Sequence, residues 1–272
     1  MTKVNEIVNR IENFAPKYLA EDWDPIGLSI GSKNQKVKKM MVALDLDRNT
    51  ISEAKEKNVD FIFTHHPAIF SSLKTLNEEE ARRREYIDLI RSEISLYSAH
   101  TNIDLAENGM NDWLAEAIDL KKPYKIMDIS CENPEGQGKS FGLGRVGELK
   151  EEISIEELIE KIKKAYQIDN VRSSNNEWTY RVKKVAIVGG SGEKYYQQAL
   201  EHEVDVYITG DISYHGAQDM MRDGLAFIDP GHYIEHVFVE KMTSMLKQWN
   251  KEENWGIEII SAKKQKDVFR FK

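Results

Sequence analysis

The chain has 272 residues, 31% of them charged and 40% hydrophobic, and a mass of 31.4 kDa, which is enough for a sizeable core and about two ordinary domains. A net charge of -8, with no long Lys/Arg block, argues against nucleic acid as an electrostatically bound partner, and no apolar stretch reaches the length of a membrane span. Cys131 is the only cysteine, which excludes an internal disulfide and a cysteine-rich zinc site and fits a reducing cytoplasm.

Val4, Ile7, Val8, Ile11 and Phe14 recur at helical spacing and Pro16 closes the pattern, so the N-terminus predicts a helix rather than a signal peptide. From Lys38 onward strands and helices alternate. The first set is a strand over 40–44, a helix over 50–57, a strand over 60–63, a helix over 79–91 and a strand over 94–97. The stretch 128–154 reads as a linker, with a loop signal at Asn133 to Lys139 and repeated glycines from Gly142 to Gly147 that suggest tight turns. A helix over 155–166 follows. The second set is a strand over 185–188, a helix over 194–202, a strand over 204–209, a helix over 214–222 and a strand over 226–229. A helix from about Ile234 and a strand over 257–260 end the pattern. The fold class is therefore α/β.

The two sets hold register without a gap over their first half. Lys38-Lys39 falls on Lys183-Lys184, Ala54 on Ala199, Val59-Asp60 on Val204-Asp205 and Thr64 on Thr209. The N-terminal helix has its counterpart at 155–166. This predicts an internal duplication: two related α/β lobes, 1–127 and 128–272. The C-terminal segment could pack with its own repeat or cross to the first lobe.

Phe61-Ile62-Phe63 reads as a buried parallel strand and ends at Thr64-His65-His66-Pro67. Ligands bind beyond the carboxyl ends of such strands, which makes this edge a place for a metal. Neighbouring side chains in extended chain point to opposite sides, so one ring to each of two nearby ions is easier than both rings on one. His100 follows the third strand and precedes Asp104 by four residues. His232 follows the last strand of the second set and precedes Glu235 by three. If those segments turn helical, each pair shares a face. Imidazole and carboxylate ligands suit zinc, iron, manganese, cobalt or nickel without choosing among them. A carboxylate can bridge two ions about 3.5–4 Å apart, and such a pair lowers the pKa of water and polarises a carbonyl, amidine or phosphoryl group.

The remaining histidines divide. His215, after the strand that matches that of His65, is a candidate to line the same pocket. His236 reads as a support to the ligands or as surface, and His202 as a solvated helix face. Asp211 stands where His66 stands in the other set, and helix N-capping explains an aspartate there at least as well. Gly138-Lys139-Ser140 resembles the end of a P-loop but lacks its first glycine, Asn133 standing there. Gly189-Gly190-Ser191-Gly192 could hold an anion; a tight strand–helix turn is its commoner meaning.

Thr64-His65-His66-Pro67, His100-Thr101-Asn102-Ile103-Asp104, Thr209-Gly210-Asp211 with Tyr214-His215, and Asp229-Pro230-Gly231-His232 with Glu235 together resemble the motifs of the GTP cyclohydrolase 1 type 2 homologue family, also called the NIF-three-like family. Trp23-Asp24 with Gly27-Leu28, and Gly142 to Leu149, resemble two further family motifs. The resemblance implies a two-lobed α/β protein with a dinuclear metal site between the lobes, assembled as a hexamer, a trimer of dimers. It implies His65, His66, Asp104, His232 and Glu235 as metal ligands, with His100 nearby. Two departures stand out: Pro25 where asparagine is usual, and a spacing of three from His232 to Glu235 where other members have four.

The resulting expectation is a cytoplasmic metal-dependent hydrolase that holds two divalent ions and acts on a nucleotide or nucleotide-like small molecule. The alternative is a ring protein without catalysis that handles metal or scaffolds regulatory partners. A third reading, a nucleotide-binding regulator built on Gly189 to Gly192, would bind nucleotide without metal.

Overall fold

The apolar run at Phe61 does become a central strand, and the rest of its sheet explains why all four of its residues are buried. The computed structural model describes residues 1–129, 141–175 and 181–271. Cys131, the Asn133 to Lys139 loop signal and the P-loop-like Gly138-Lys139-Ser140 lie outside the described residues. The elements in chain order are α1 (Val4–Phe14), β1 (Gly27–Ile30), β2 (Lys39–Ala43), α2 (Arg48–Glu56), β3 (Phe61–Thr64), α3 (Ala81–Arg91), β4 (Ser95–Ser98), α4 (Thr101–Leu105), α5 (Met110–Ala117), β5 (Lys121–Tyr124), β6 (Met127–Ile129), β7 (Phe141–Leu143), β8 (Arg145–Ile153), α6 (Ile155–Tyr166), β9 (Arg172–Ser173), β10 (Val182–Ser191), α7 (Tyr196–Glu201), β11 (Val206–Gly210), α8 (Tyr214–Arg222), β12 (Ala226–Asp229), α9 (Val237–Glu252) and β13 (Glu258–Ser261). Short 3-10 turns lie at Lys17–Leu19, Glu193–Tyr195 and His232–His236. No helix among the described residues is long and apolar enough to cross a membrane.

The chain divides into two units. The first is Met1–Ile103 with Phe238–Val268; the second is Asp104–Val237 with the last few residues. The first unit carries a sheet of order β1-β4-β3-β2-β13, in which β13, β2, β3 and β4 are parallel and β1 is antiparallel. Alternation along the strands feeds two layers. Met41, Ala43, Ile62 and Leu96 form one cluster with Ile51 and Ala54 of α2 and Tyr86 and Leu89 of α3. On the other face Phe63 meets Tyr97 and Phe238 of α9, with ring centroids 5.8 and 5.4 Å away. A sheet covered on both faces needs continuous apolar strands, and each large side chain so buried contributes about 1.5–3 kcal/mol.

The second unit carries a sheet of order β5-β8-β10-β11-β12-β9, with β10, β11 and β12 parallel and their flanking strands antiparallel. Its α5 and α6 are joined by Tyr166, whose fully buried hydroxyl donates to the Leu114 carbonyl (2.8 Å). The glycine-rich segment forms β7 and β8, turning at Gly144 with φ +56°. Arg145 locks this turn: it is buried, forms a bidentate pair with Asp112 (2.5 and 2.6 Å) and donates to the Gly142 and Gly144 carbonyls.

One device recurs in both sheets. Asp60 accepts from the amides of Lys38 and Lys39 (2.7 and 2.9 Å), and Asp205 accepts from those of Lys183 and Lys184 (both 2.7 Å). Each aspartate thereby ties the entry of the first parallel strand to that of the second.

One expectation about organisation changes and one open alternative is settled. The first unit ends at Ile103, not near residue 127, because α5 and β5 belong to the second sheet's layer. The C-terminal segment returns to the first unit, where β13 pairs in parallel with β2 from Glu258↔Lys39 to Ser261↔Val42. Past β13, Glu53 of α2 receives the amides of Lys263 and Lys264 (2.8 and 3.0 Å) and the Lys57 ammonium (2.5 Å). Burial pushes its carboxyl up, but these donors outweigh that and hold it below its ordinary pKa.

Candidate metal centre

In the first unit three imidazoles meet at the carboxyl ends of adjacent parallel strands. His65 and His66 follow β3, and His100 follows β4. One ring nitrogen from each lies within 4.8 Å of those of the other two. The centroids of His65 and His66 are 4.9 Å apart, so these neighbours do not point to opposite sides as expected of extended chain. The strand ends at Thr64, whose hydroxyl donates to the His66 carbonyl (2.9 Å) and bends the chain there. Phe238 walls the group from one side, 5.2 Å from the His65 ring, and His65 is fully buried.

Each of these rings has its Nδ1 on an oxygen. That of His65 meets the Ala99 carbonyl (3.0 Å), that of His66 meets Asp45 (2.7 Å) and that of His100 meets Asp24 (3.1 Å). An oxygen acceptor at Nδ1 sets the tautomer, assigns Nε2 as the nitrogen for a metal and raises its basicity. Asp24 is itself fixed by the Thr101 amide (3.0 Å) and hydroxyl (2.5 Å). Burial pushes its carboxyl up, yet the hydrogen bonds from His100 and Thr101 prevail and hold it below the ordinary aspartate value.

The second unit assembles a different set. His232 and Glu235 lie in the 3-10 turn His232–His236, where the expected helix from Ile234 has yet to begin. In a 3-10 turn residues three apart eclipse. The spacing of three therefore suits this turn, and His232 Nε2 lies 3.1 Å from the Glu235 carboxylate. His232 Nδ1 meets Asp211 (2.7 Å), the same Nδ1-to-oxygen arrangement. Asp211 is thus not a helix cap: Ser213 caps α8 by accepting from the Gly216 amide. Asp104, on α4, offers a carboxylate oxygen within 4.8 Å of one from Glu235. Asn111 braces this side by donating to the Asp104 carbonyl (2.9 Å) and accepting from the Gly189 amide (3.0 Å). Glu235 is only 2% exposed, and a carboxylate so buried needs strong charge compensation, which a cation supplies.

The glycines of Gly189 to Gly192 make room for this pair. A Cβ on Gly190, whose φ is +58°, would stand 2.9 Å from a Glu235 oxygen and 3.4 Å from His232 Nε2. One on Gly189 would stand 3.0 Å from the same oxygen. The amides of Gly189 and Gly192 donate to Asn111 and Thr209. Those donors are spent on the fold, which favours the tight-turn meaning over an anion cradle.

The other histidines lie elsewhere. His215 is exposed on the first turn of α8 and contacts Gln218 (3.3 Å). His236 bonds the Tyr166 carbonyl (2.7 Å). His202 is not a solvated residue: its Nε2 bonds the Ile126 carbonyl (2.7 Å) and its ring meets Tyr124 edge-on. Sequence reasoning missed the supporting roles of Asp24, Asp45 and Asn111. Asp45 had a legible signal, since it lies two residues past the carboxyl end of β2.

A family model described as Duf34/NIF3 (NGG1p interacting factor 3) matches residues 2–268. The chain belongs to the Duf34/NIF3 family. This family member is 37% identical over 268 residues to a Streptococcus pneumoniae protein named GTP cyclohydrolase 1 type 2 homolog, covering 97% of this chain and 98% of the relative. It is also 37% identical to a Clostridium perfringens protein of the same name, over 99% of both chains. Among solved structures it is similar to the Bacillus cereus protein related to NIF3, with a TM-score of 0.93 at 26% identity over 99% of both chains. It is also similar to reduced HcgD from Methanocaldococcus jannaschii, with a TM-score of 0.77 at 34% identity over 96% of this chain and 98% of the other.

Proposed function

We propose that this Duf34/NIF3 protein holds two divalent metal ions and uses them to hydrolyse a nucleotide or nucleotide-like small molecule. The observation that carries the reading is the orientation of four imidazoles, His65, His66, His100 and His232, each with Nδ1 on an oxygen. Metal-binding histidines have this arrangement as a rule, and it costs side-chain freedom that a surface histidine need not lose. His65, His66, Asp104, His232 and Glu235 would hold the ions, as the family resemblance implies. When bound, such a pair supplies Lewis acidity and activated water at neutral pH. The chain's own contribution is to hold the imidazoles in one tautomer, to keep the Glu235 carboxylate buried, and to exclude water with Phe238. The names of the relatives support a nucleotide substrate and the family resemblance supports a homohexamer in the cytoplasm. The matched aspartate clamps and strand orders support descent of the lobes from one duplicated unit.

The test is to strip the protein, reload it with manganese, iron or zinc, count ions per chain by elemental analysis and assay a nucleotide panel. Two ions per chain and turnover lost in both His65→Ala and Glu235→Ala are expected. Turnover that survives both changes sinks the assignment. Full occupancy with no turnover on any nucleotide moves the protein to the non-catalytic, metal-handling reading.

A further inference from the structure

Two large aromatic rings stand exposed beside the histidine group of the first unit. Trp23 is 51% and Phe70 54% exposed, and their centroids are 5.8 Å apart. Trp23 also meets the His100 ring edge-on at 6.1 Å, and His100 lies 5.1 Å from His65 and 5.6 Å from His66. Both aromatics are anchored through their chain neighbours. Trp23 precedes Asp24, which is gripped by His100 and Thr101. Phe70 follows Ala68 and Ile69, which pack on the α2–α3 core cluster, and the Ala68 carbonyl accepts from the Tyr86 hydroxyl (2.5 Å). What sets these two apart from other exposed side chains is contiguity: they meet each other, and Trp23 meets His100, so the apolar face adjoins the histidine group. Their π-faces suit a flat, delocalised ring, and a stacked base is worth about 1–3 kcal/mol.

We infer that Trp23 and Phe70 form a stacking shelf that binds the planar heteroaromatic ring of the small-molecule ligand and presents it to the His65, His66 and His100 group. This rests on the proposed function and sharpens it: the ligand carries a flat nitrogen heterocycle of nucleobase type, recognised by stacking. Stacking tolerates different bases, so the shelf sets affinity for a ring-bearing ligand rather than a choice among purines.

The test uses the metal-loaded full chain with GTP and ATP as ring-bearing probes and ribose 5-phosphate as the ring-less control. Binding is read by calorimetry, with metal content and molar mass measured on every variant. Trp23→Ala and Phe70→Ala are expected to weaken nucleotide binding about 5- to 100-fold at unchanged metal content. Trp23→Phe, which keeps a π-face, is expected to recover most of the loss, and ribose 5-phosphate affinity to be the same in all variants. Unchanged nucleotide affinity in the double alanine variant overturns the shelf, as does failure of both nucleotides to bind wild type. A change of molar mass in the alanine variants without a change in affinity makes the two rings an assembly contact and also overturns it. Trp23-dependent nucleotide binding in a protein that takes up no metal would sink the metal reading and leave the shelf standing.

Discussion

The carboxyl edges of the two parallel sheets share a frame and differ in chemistry. Both have consecutive parallel strands entered through an aspartate clamp, Asp60 in one and Asp205 in the other. At the end of the second strand, however, the first edge places His65 and His66 and the second places Gly210 and Asp211. His66 offers a ring to the ligand group and leans on Asp45; Asp211 supports a ring, that of His232. One edge is rich in imidazole, the other in carboxylate, with Asp104 and Glu235. The comparison teaches that a strand end sets where a ligand or its supporter stands, while the residue type decides which it becomes.

The largest effect should come from the proposed ligands. His65→Ala in the first edge and Glu235→Ala in the second should each lower metal affinity about 100-fold or more, measured by competition with a chelator. Equal retention in either variant would show that its edge contributes no metal ligand. Next is Gly190→Val, which brings side-chain atoms onto the Glu235 oxygen at a residue with positive φ. Its cost should be about 3 kcal/mol in chemical denaturation, with loss of metal; among the described residues no glycine stands against the first edge's histidines in this way. Asp45→Asn and Asp211→Asn remove the charge behind one imidazole on each edge and should weaken metal binding about 10- to 100-fold. If only one of the pair has an effect, the two edges are not functionally parallel.

A smaller change concerns the fold of the first unit. Glu53→Ala should destabilise by about 2 kcal/mol, since it removes a charged acceptor of the Lys263 and Lys264 amides. Because the folded-state pKa of Glu53 is depressed, its contribution is fully present above the ordinary glutamate pKa, about 4.3, and is lost as the pH falls through the lower folded value. The stability gap between wild type and variant should therefore close on acidification, as followed by urea melts at several pH values. The smallest effect is expected of His215→Ala, an exposed residue that should shift stability by about 0.5 kcal/mol or less and leave metal content unchanged.

Much of the fold was legible locally. The helices at Val4–Phe14, Ile155–Tyr166 and Tyr214–Arg222 and the strand at Ala226–Asp229 match the periodicity residue for residue, because each buries one face or a whole run against a sheet. The 3-10 turn at His232–His236 was not legible, since i,i+3 and i,i+4 patterns overlap in five residues. Nor was the bend after Thr64, made by a hydroxyl on a carbonyl. The candidate ligand types were readable because histidines and carboxylates stood at strand ends. Which supporter holds which ring was not, because Asp24 and Asp45 lie 76 and 21 residues from the rings they hold.

The sequence by itself determined the α/β class, the doubled pattern and the histidines and acids worth suspecting, because apolar periodicity and strand-end position are local properties. Tertiary structure alone decided that β13 crosses to the first sheet, that Gly189 and Gly190 clear space for a buried carboxylate, and which oxygen orients each imidazole. Those facts depend on hydrogen bonds and close approaches between residues distant in the chain, which no local pattern encodes.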